Sequence, residues 1–304
     1  MTGMSAVAVE RGVFLTRVKA NEPLCREHFR LVLEVEDFPE AAPGQFLQVL
    51  CADPQSELGR GAAFVRRPFS IGGLRRQGRL CEVDVMHRAV GPGTRWLAAR
   101  QPGDAVSILG PLGRPFRFDE ERSLAILVGG GIGLPPLIWL AEALHARGQE
   151  TLVFVGARSA EWIPLTRVAD VPVAADEASP AFAEFARAHA PVVVATNDGS
   201  LGSTGYVPDT LARYLDRHPE LAARAVIYTC GPEPMMRAAA EIAEARGIPC
   251  QVCLERVMAC GMGTCQSCVV AVRDAAAVDG WRYRLCCTDG PVFDSREVIW
   301  PNGH

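Results

Sequence analysis

Between Val13 and Gly113 the apolar residues come in short runs, several alternating with polar ones at period two: Val13–Val18, Phe29–Val35, Gln45–Leu50, Pro68–Ile71, Leu80–Met86 and Ala105–Leu109. Successive side chains on a strand point to opposite faces, so runs of this length bounded by turn residues read as strands. Six of them with little helix between predict a small antiparallel barrel. After Phe118 the texture changes. Leu124–Val128, Thr151–Val155, Val192–Thr196 and Val226–Thr229 are short apolar runs, each followed by a helix-compatible segment, the first and last of these being Leu137–Arg147 and Pro234–Arg246. Strand and helix in alternation predict a parallel sheet of βαβ units. Gln251–Leu254 reads as one more strand, leading into a cysteine-rich segment. The fold class expected is therefore a β-barrel plus an α/β unit and a small C-terminal unit, divided at residues 1–118, 119–250 and 251–304. The charged run Asp119–Arg122 marks the first boundary.

The longest apolar stretch, Leu124–Leu144, is long enough to span a membrane, but Gly129, Gly130, Gly131, Gly133, Pro135 and Pro136 interrupt it. It reads as a buried strand, a glycine loop and a helix, and no membrane partner is expected. The chain has 304 residues, 49% of them hydrophobic, which suffices for more than one core. A net charge of −4, with no basic run longer than Arg66-Arg67 or Arg75-Arg76, argues against a nucleic-acid surface. Glu10 and Arg11 break the N-terminal segment, which does not read as a signal peptide. Eleven cysteines, crowded toward the C-terminus, suggest a metal site in a reducing compartment, and a cytoplasmic location is expected.

Cys260-Gly-Met-Gly-Thr-Cys-Gln-Ser-Cys268 sets three thiols at C-x4-C-x2-C in a glycine-rich turn, and Cys286-Cys287 follows after a gap. Three close cysteines plus a distant fourth are the arrangement that holds a [2Fe–2S] cluster, the short turn bringing three sulfurs to one point. Zinc, which commonly takes two close pairs, is the rival reading and would make the segment a structural staple in a non-redox binding protein. Adjacency leaves the fourth ligand open between Cys286 and Cys287. Val128-Gly-Gly-Gly-Ile-Gly133 ends a strand and opens a helix, where backbone N–H groups can meet a phosphate, although the glycines equally permit a tight turn. Thr229-Cys-Gly-Pro-Glu-Pro-Met-Met236 repeats that logic, with Cys230 at a strand tip. Arg67-Pro-Phe-Ser70 joins a fixed charge, a rigid ring, an aromatic and a hydroxyl, a set suited to a flavin and its phosphate or to a half-solvated strand. Gly91-Pro-Gly-Thr94, entering a helix over Arg95–Ala99, is a further phosphate cradle. Cys250 and Cys253 lie on one predicted strand, facing opposite ways, and read as core residues.

Taken in order, R-P-F-S, G-x-G-T, Gly110-Pro-Leu-Gly113, G-G-G-I-G, C-G-P and the cysteine loop resemble the ferredoxin–NADP reductase superfamily, in which a flavin-binding barrel precedes a nicotinamide-binding domain. The cysteine loop, the tail Cys287-Thr-Asp-Gly-Pro-Val-Phe293 and Asn197-Asp-Gly-Ser-Leu-Gly202 resemble the electron-transfer subunits of class 1B dihydroorotate dehydrogenases. The segment Pro54–Val65 and the gap before Cys287 are longer than in that pattern. The resemblance implies that Arg67, Pro68, Phe69 and Ser70 hold FAD, with Gly91, Gly93 and Thr94 at its pyrophosphate. Gly130, Gly131, Gly133, Cys230 and Gly231 would line the site for NAD(H), with Ser70 and Cys230 nearest the chemistry. Cys260, Cys265, Cys268 and Cys287 would bind the cluster, since the tail follows Cys287 directly. It further implies an FMN-containing catalytic partner that oxidises dihydroorotate, a heterotetramer, and passage of electrons through the cluster and FAD to NAD+. Reductase subunits of hydrogenases, transhydrogenases or oxygenases share the cofactors. Arg158 and Ser159, after the second α/β strand, suit a 2′-phosphate of NADP or a solvated turn, while the resemblance favours NAD.

Overall fold

The computed structural model describes residues 11–53 and 65–301. The N-terminal reading through Glu10 and the lengthened segment from Pro54 lie outside the described residues, apart from Arg11–Arg17 and Val65. Six strands, β1 (Gly12–Cys25), β2 (His28–Glu36), β3 (Phe46–Leu50), β4 (Arg67–Gln77), β5 (Leu80–Arg88) and β6 (Ala105–Leu112), close into an antiparallel barrel of order β1-β2-β5-β4-β3-β6, with helix α1 (Pro92–Ala98) between the last two. The period-two pattern decides which residues fill it. Leu31, Leu33 and Val35 of β2 meet Leu47 and Val49 of β3, Val83 and Val85 of β5, and Val106 and Ile108 of β6 in one core. Each fully buried side chain of this kind contributes about 1.5–3 kcal/mol relative to exposure.

The second unit is a seven-stranded sheet of order β10-β9-β8-β7-β11-β12-β15, all parallel except β15. Its strands are β7 (Leu124–Gly130), β8 (Glu150–Ala157), β9 (Val192–Thr196), β10 (Ser203–Thr204), β11 (Ala225–Cys230), β12 (Cys250–Cys253) and β15 (Val292–Asp294). Helix α2 (Leu134–His145) covers one face, packing on Ala125, Leu127, Val153 and Val155. Helices α4 (Val207–Arg217) and α5 (Glu233–Ala245) cover the other, on Ile126, Val128, Phe154 and Ile227. Burial on both faces explains why these strands read as unbroken apolar runs. The stretch Leu124–Leu144 is strand, glycine turn and helix, as its punctuation indicates, and among the described residues no helix is long and apolar enough to cross a membrane.

Two features depart from the sequence reading. The segment after β8 forms only a 3-10 turn, Ala160–Trp162, and the four-residue α3 (Ala183–Ala186), not a full helix. Pro164, Pro172, Pro180 and Pro191 recur through it, each removing a backbone donor. The gap before Cys287 holds a hairpin, β13 (Val269–Arg273) against β14 (Trp281–Leu285). Cys250 packs toward α4 and α5 and Cys253 toward α2, the opposite-face placement expected of a strand.

Candidate functional site

Strand β4 lies against β3 with Phe46 opposite Ser70, Leu47 opposite Phe69, Gln48 opposite Pro68 and Val49 opposite Arg67. Leu47 and Val49 point into the barrel core, so Phe46 and Gln48, with Pro68 and Ser70 beside them, share the outer face. The two neighbouring arginines have different duties. Arg66 is anchored, its guanidinium donating to the carbonyls of Gln48 (3.2 Å) and Ser107 (2.9 Å) and to the Ser107 hydroxyl (2.8 Å). Arg67 is exposed and, among the described residues, donates to the carbonyls of Val65 (2.6 Å) and Arg66 (3.5 Å) beside it, bonds that a phosphate can replace. At the start of α1 the Thr94 hydroxyl accepts the N–H groups of Val90 (2.9 Å) and Gly91 (3.0 Å). Its side chain thus fixes the turn, and what this turn offers a ligand is backbone N–H, which the first turn of a helix leaves without an intrahelical partner.

At the carboxyl ends of β7 and β11 the two glycine turns pack against each other. A Cβ on Gly133 would lie 2.2 Å from the Cys230 carbonyl oxygen and 2.5 Å from the Gly231 Cα, so no side chain fits there. A Cβ on Gly231 would lie 2.8 Å from the Met235 methyl and 3.1 Å from the Gly130 carbonyl oxygen, while Gly131 faces open space. The barrel joins this crevice through Gly72, where a Cβ would lie 3.1 Å from the Pro135 ring at the start of α2. Cys230 is buried at the tip of β11, paired in register with Cys253.

The cysteine loop runs from Leu254 to β13 without regular structure. The N–H groups of Met262 and Cys265 both point at the Cys260 sulfur at 3.4 Å, and the Cys287 N–H points at the Cys268 sulfur at 3.4 Å. Hydrogen bonds from the Ser267 hydroxyl and N–H draw the Cys265 thiol down to about 6. Burial, and a proton shared with Cys268, push Cys287 up to about 12, with the Cys260 sulfur in electrostatic range. Crowded thiols of this kind are relieved when a metal takes the place of their protons. Cys286 turns away and donates to the Leu254 carbonyl at 3.4 Å inside the hydrophobic core. The expected meeting of three sulfurs at one point is not what the structure has: among the described residues no three His, Cys, Asp or Glu side chains are placed to hold a single ion. Cys265 is exposed, while Cys268 and Cys287 are buried.

Two residues that sequence motifs did not single out border β4. Among the described residues, buried side-chain nitrogen or oxygen atoms without a partner occur only in Asn21, Gln48, His87 and Thr229. His87 stacks on Phe29 at 5.5 Å and meets Phe69 edge-on at 6.2 Å, and burial holds its imidazole down to about 4. Gln48 is fully buried beside Pro68, and Thr229 precedes Cys230. The one signal for Gln48 was a lone amide in the apolar run Phe46-Leu-Gln-Val-Leu50. Buried polar atoms without partners call for an explanation, and a bound group alongside supplies one. The exposed guanidinium, the paired glycine turns and the thiol loop fit a flavin nucleotide, a nicotinamide nucleotide and a thiolate-held cluster respectively.

Comparison with known proteins follows the same division. Residues 17–115 match the siderophore-interacting FAD-binding domain model, 127–241 the oxidoreductase NAD-binding domain, and 255–299 the iron–sulfur cluster binding domain of dihydroorotate dehydrogenase B. A protein of Desulforamulus reducens named dihydroorotate dehydrogenase B (NAD(+)), electron transfer subunit, is 35% identical over 261 residues, covering 86% of this chain and 87% of that one. One of the same name from Bacillus caldolyticus is 37% identical over 273 residues, covering 89% and 90%. Among solved structures, an NADH-dependent reduced ferredoxin–NADP oxidoreductase superposes with a TM-score of 0.73 at 26% identity, covering 99% of this chain and 92% of that one. An Amycolatopsis cytochrome P450 reductase shares the fold, at a TM-score of 0.60 and 22% identity over 79% of this chain and 68% of that one. By extent and identity of match, the chain belongs to the family of dihydroorotate dehydrogenase B electron transfer subunits.

Proposed function

We propose that the chain is the electron-transfer subunit of a cytoplasmic dihydroorotate-oxidising complex, a heterotetramer with an FMN-containing catalytic partner, and that it delivers electrons to NAD+. The observation that carries this is the junction of three sites at one place: β4 against the start of α2, the glycine turns against each other, and the cysteine loop against β3. Once bound, FAD converts between the two-electron hydride of a nicotinamide and the single electrons of a [2Fe–2S] cluster.

The chain's own residues hold and orient these groups. Arg67 pairs with the FAD phosphate; Pro68, Phe69 and Ser70 present the outer face of β4 to the flavin ring, with the Ser70 hydroxyl as its hydrogen-bonding group. Gly93 and Thr94 give backbone N–H groups to the pyrophosphate, and Gly91, with open space where a side chain would stand, lets it approach the turn. Gly130, Gly131, Gly133 and Gly231 let the NAD(H) backbone approach closely, and Cys230 faces the nicotinamide. Cys260, Cys265, Cys268 and Cys287 ligate the cluster. The division at residues 1–118, 119–250 and 251–304 is supported by the three family matches, each of which falls within one unit. Exposed Val257, Met262, Val269, Trp281 and Tyr283 all belong to the cluster unit and suit a surface that docks on a partner.

The test is copurification with a catalytic subunit followed by dihydroorotate-dependent NAD+ reduction. Flavin absorption and acid-labile sulfide are expected, and absence of either, or zinc without iron, would sink the reading. A second reading, a subunit of an NADH-linked ferredoxin–NADP transhydrogenase, is favoured by the end-to-end superposition on such an enzyme. A ferredoxin-dependent partner recovered in place of a dihydroorotate-oxidising one would select it.

A further inference from the structure

Gln48 links the two halves of the proposed electron path. Its backbone pairs with Pro68 of the flavin strand, and its carbonyl accepts from Arg66 at 3.2 Å, which fixes this part of β3. Its side chain leaves the barrel on the same face as Phe46, and Phe46 enters the core that contains Cys268, Cys286 and Cys287. The amide then lies over the cysteine loop: a Cβ on Gly261 would sit 2.6 Å from the Gln48 Cγ and 2.8 Å from its Nε2. Gly261 follows the first cysteine directly and has a φ of +72°, so glycine is required there both by conformation and by the closeness of this amide.

The energetic oddity is that neither the Nε2 nor the Oε1 of this fully buried amide has a partner among the described residues. Burying an amide without hydrogen bonds is costly, whereas leucine at the same place would fill the space at no such cost. An amide retained there needs an acceptor that the protein itself does not provide. The nearest source is the loop it covers, which carries anionic thiolate and sulfide once loaded. Hydrogen bonds to the sulfurs of a cluster favour its reduced, more negative state and so raise its reduction potential.

We propose that Gln48 is a positioning residue whose side-chain N–H hydrogen-bonds the loaded cluster and raises its potential relative to the flavin held on the neighbouring strand. The proposal rests on the cluster assignment given above. Its test is a redox titration of the holo protein followed by EPR. Gln48→Leu, with the flavin, iron and sulfide content of the wild type, is expected to lower the cluster midpoint potential and move its g-values. Gln48→His, which restores a ring N–H, is expected to recover part of the shift. An unmoved potential in fully loaded Gln48→Leu overturns the proposal. If that variant fails to assemble, the decision passes to pulsed EPR of the reduced cluster in otherwise native protein with 15N-labelled glutamine side-chain amides, the exposed loop residue Gln266 being replaced by alanine. A nitrogen coupling supports the contact, and its absence overturns it. Wild-type protein without iron and sulfide would instead strike down the cluster assignment itself.

Discussion

The glycine turns above the sheet and the cysteine loop beside the barrel are both short, glycine-rich and close to a proposed redox group, yet they are held in opposite ways. The turns at Gly130–Gly133 and Cys230–Gly231 are locked backbone to backbone, with no room for a single Cβ at Gly133. The cysteine loop has no such lock. Its internal contacts are N–H groups aimed at sulfur at 3.4 Å and the Ser267 hydroxyl against the Cys265 thiol and the Val257 carbonyl, and Met262 and Cys265 stand exposed. One site is shaped by the fold before its ligand arrives, as suits a nucleotide that comes and goes. The other depends on its ligand for shape, as suits a group that stays.

The largest effect should separate the two candidates for the fourth thiolate. Cys287→Ser is expected to abolish the cluster, read as loss of iron, sulfide and visible absorption, whereas Cys286→Ser should keep it, because the Cys286 thiol already serves the Leu254 carbonyl. The reverse result would overturn the ligand assignment. Next in size, Gly133→Ala drives a methyl into the Cys230 carbonyl and should cost about 3 kcal/mol or more, read as a lowered urea midpoint with weakened NADH binding. Should it prove as mild as a loop substitution, the contrast between locked and ligand-shaped turns fails. Arg67→Ala removes a charge whose hydrogen-bond partners among the described residues are the neighbouring carbonyls of Val65 and Arg66. Folding should survive while FAD affinity drops about 10–100-fold, the value of one charged hydrogen bond, measured by flavin release.

The smallest effect is a pH dependence. Burial holds His87 down to about 4 from an ordinary 6.5, so below 6.5 the unfolded chain takes up a proton that the folded one refuses. This contribution to stability is complete above about 6.5 and lost as pH falls toward about 4, on the order of 2 kcal/mol of it by pH 5. Urea midpoints at pH 7.5 and pH 5 should differ, and His87→Phe should narrow the difference; an unchanged gap would remove His87 from the account.

Much of this architecture was legible because burial imposes periodicity. All six barrel strands fall on the predicted runs, and the sheet strands β7, β8, β9 and β11 extend theirs by a few residues at most. What escaped was set by tertiary pairing. The β13–β14 hairpin carries Arg273, Arg282 and Arg284 with half its positions in solvent, and β15 is three residues long, a strand only because β12 offers it an edge. The site divided likewise. Its motifs lie in consecutive residues and could be read, whereas Gln48 owes its place to Gly261, more than two hundred residues away. Cys287 over Cys286 was indicated by the tail that follows it, and the assignment is kept as a proposal, supported by the bond of the Cys286 thiol to the Leu254 carbonyl.

Strand β15 has one more consequence. Many electron carriers ride on tethers and must diffuse to their donor, so part of every turnover is spent searching. Here the residues just after Cys287 are woven into the edge of the sheet whose strands carry both glycine turns, Val252 opposite Phe293 and Cys253 opposite Val292. The spacing between donor and acceptor is thus settled once, when the chain folds, and internal transfer should be indifferent to solvent viscosity.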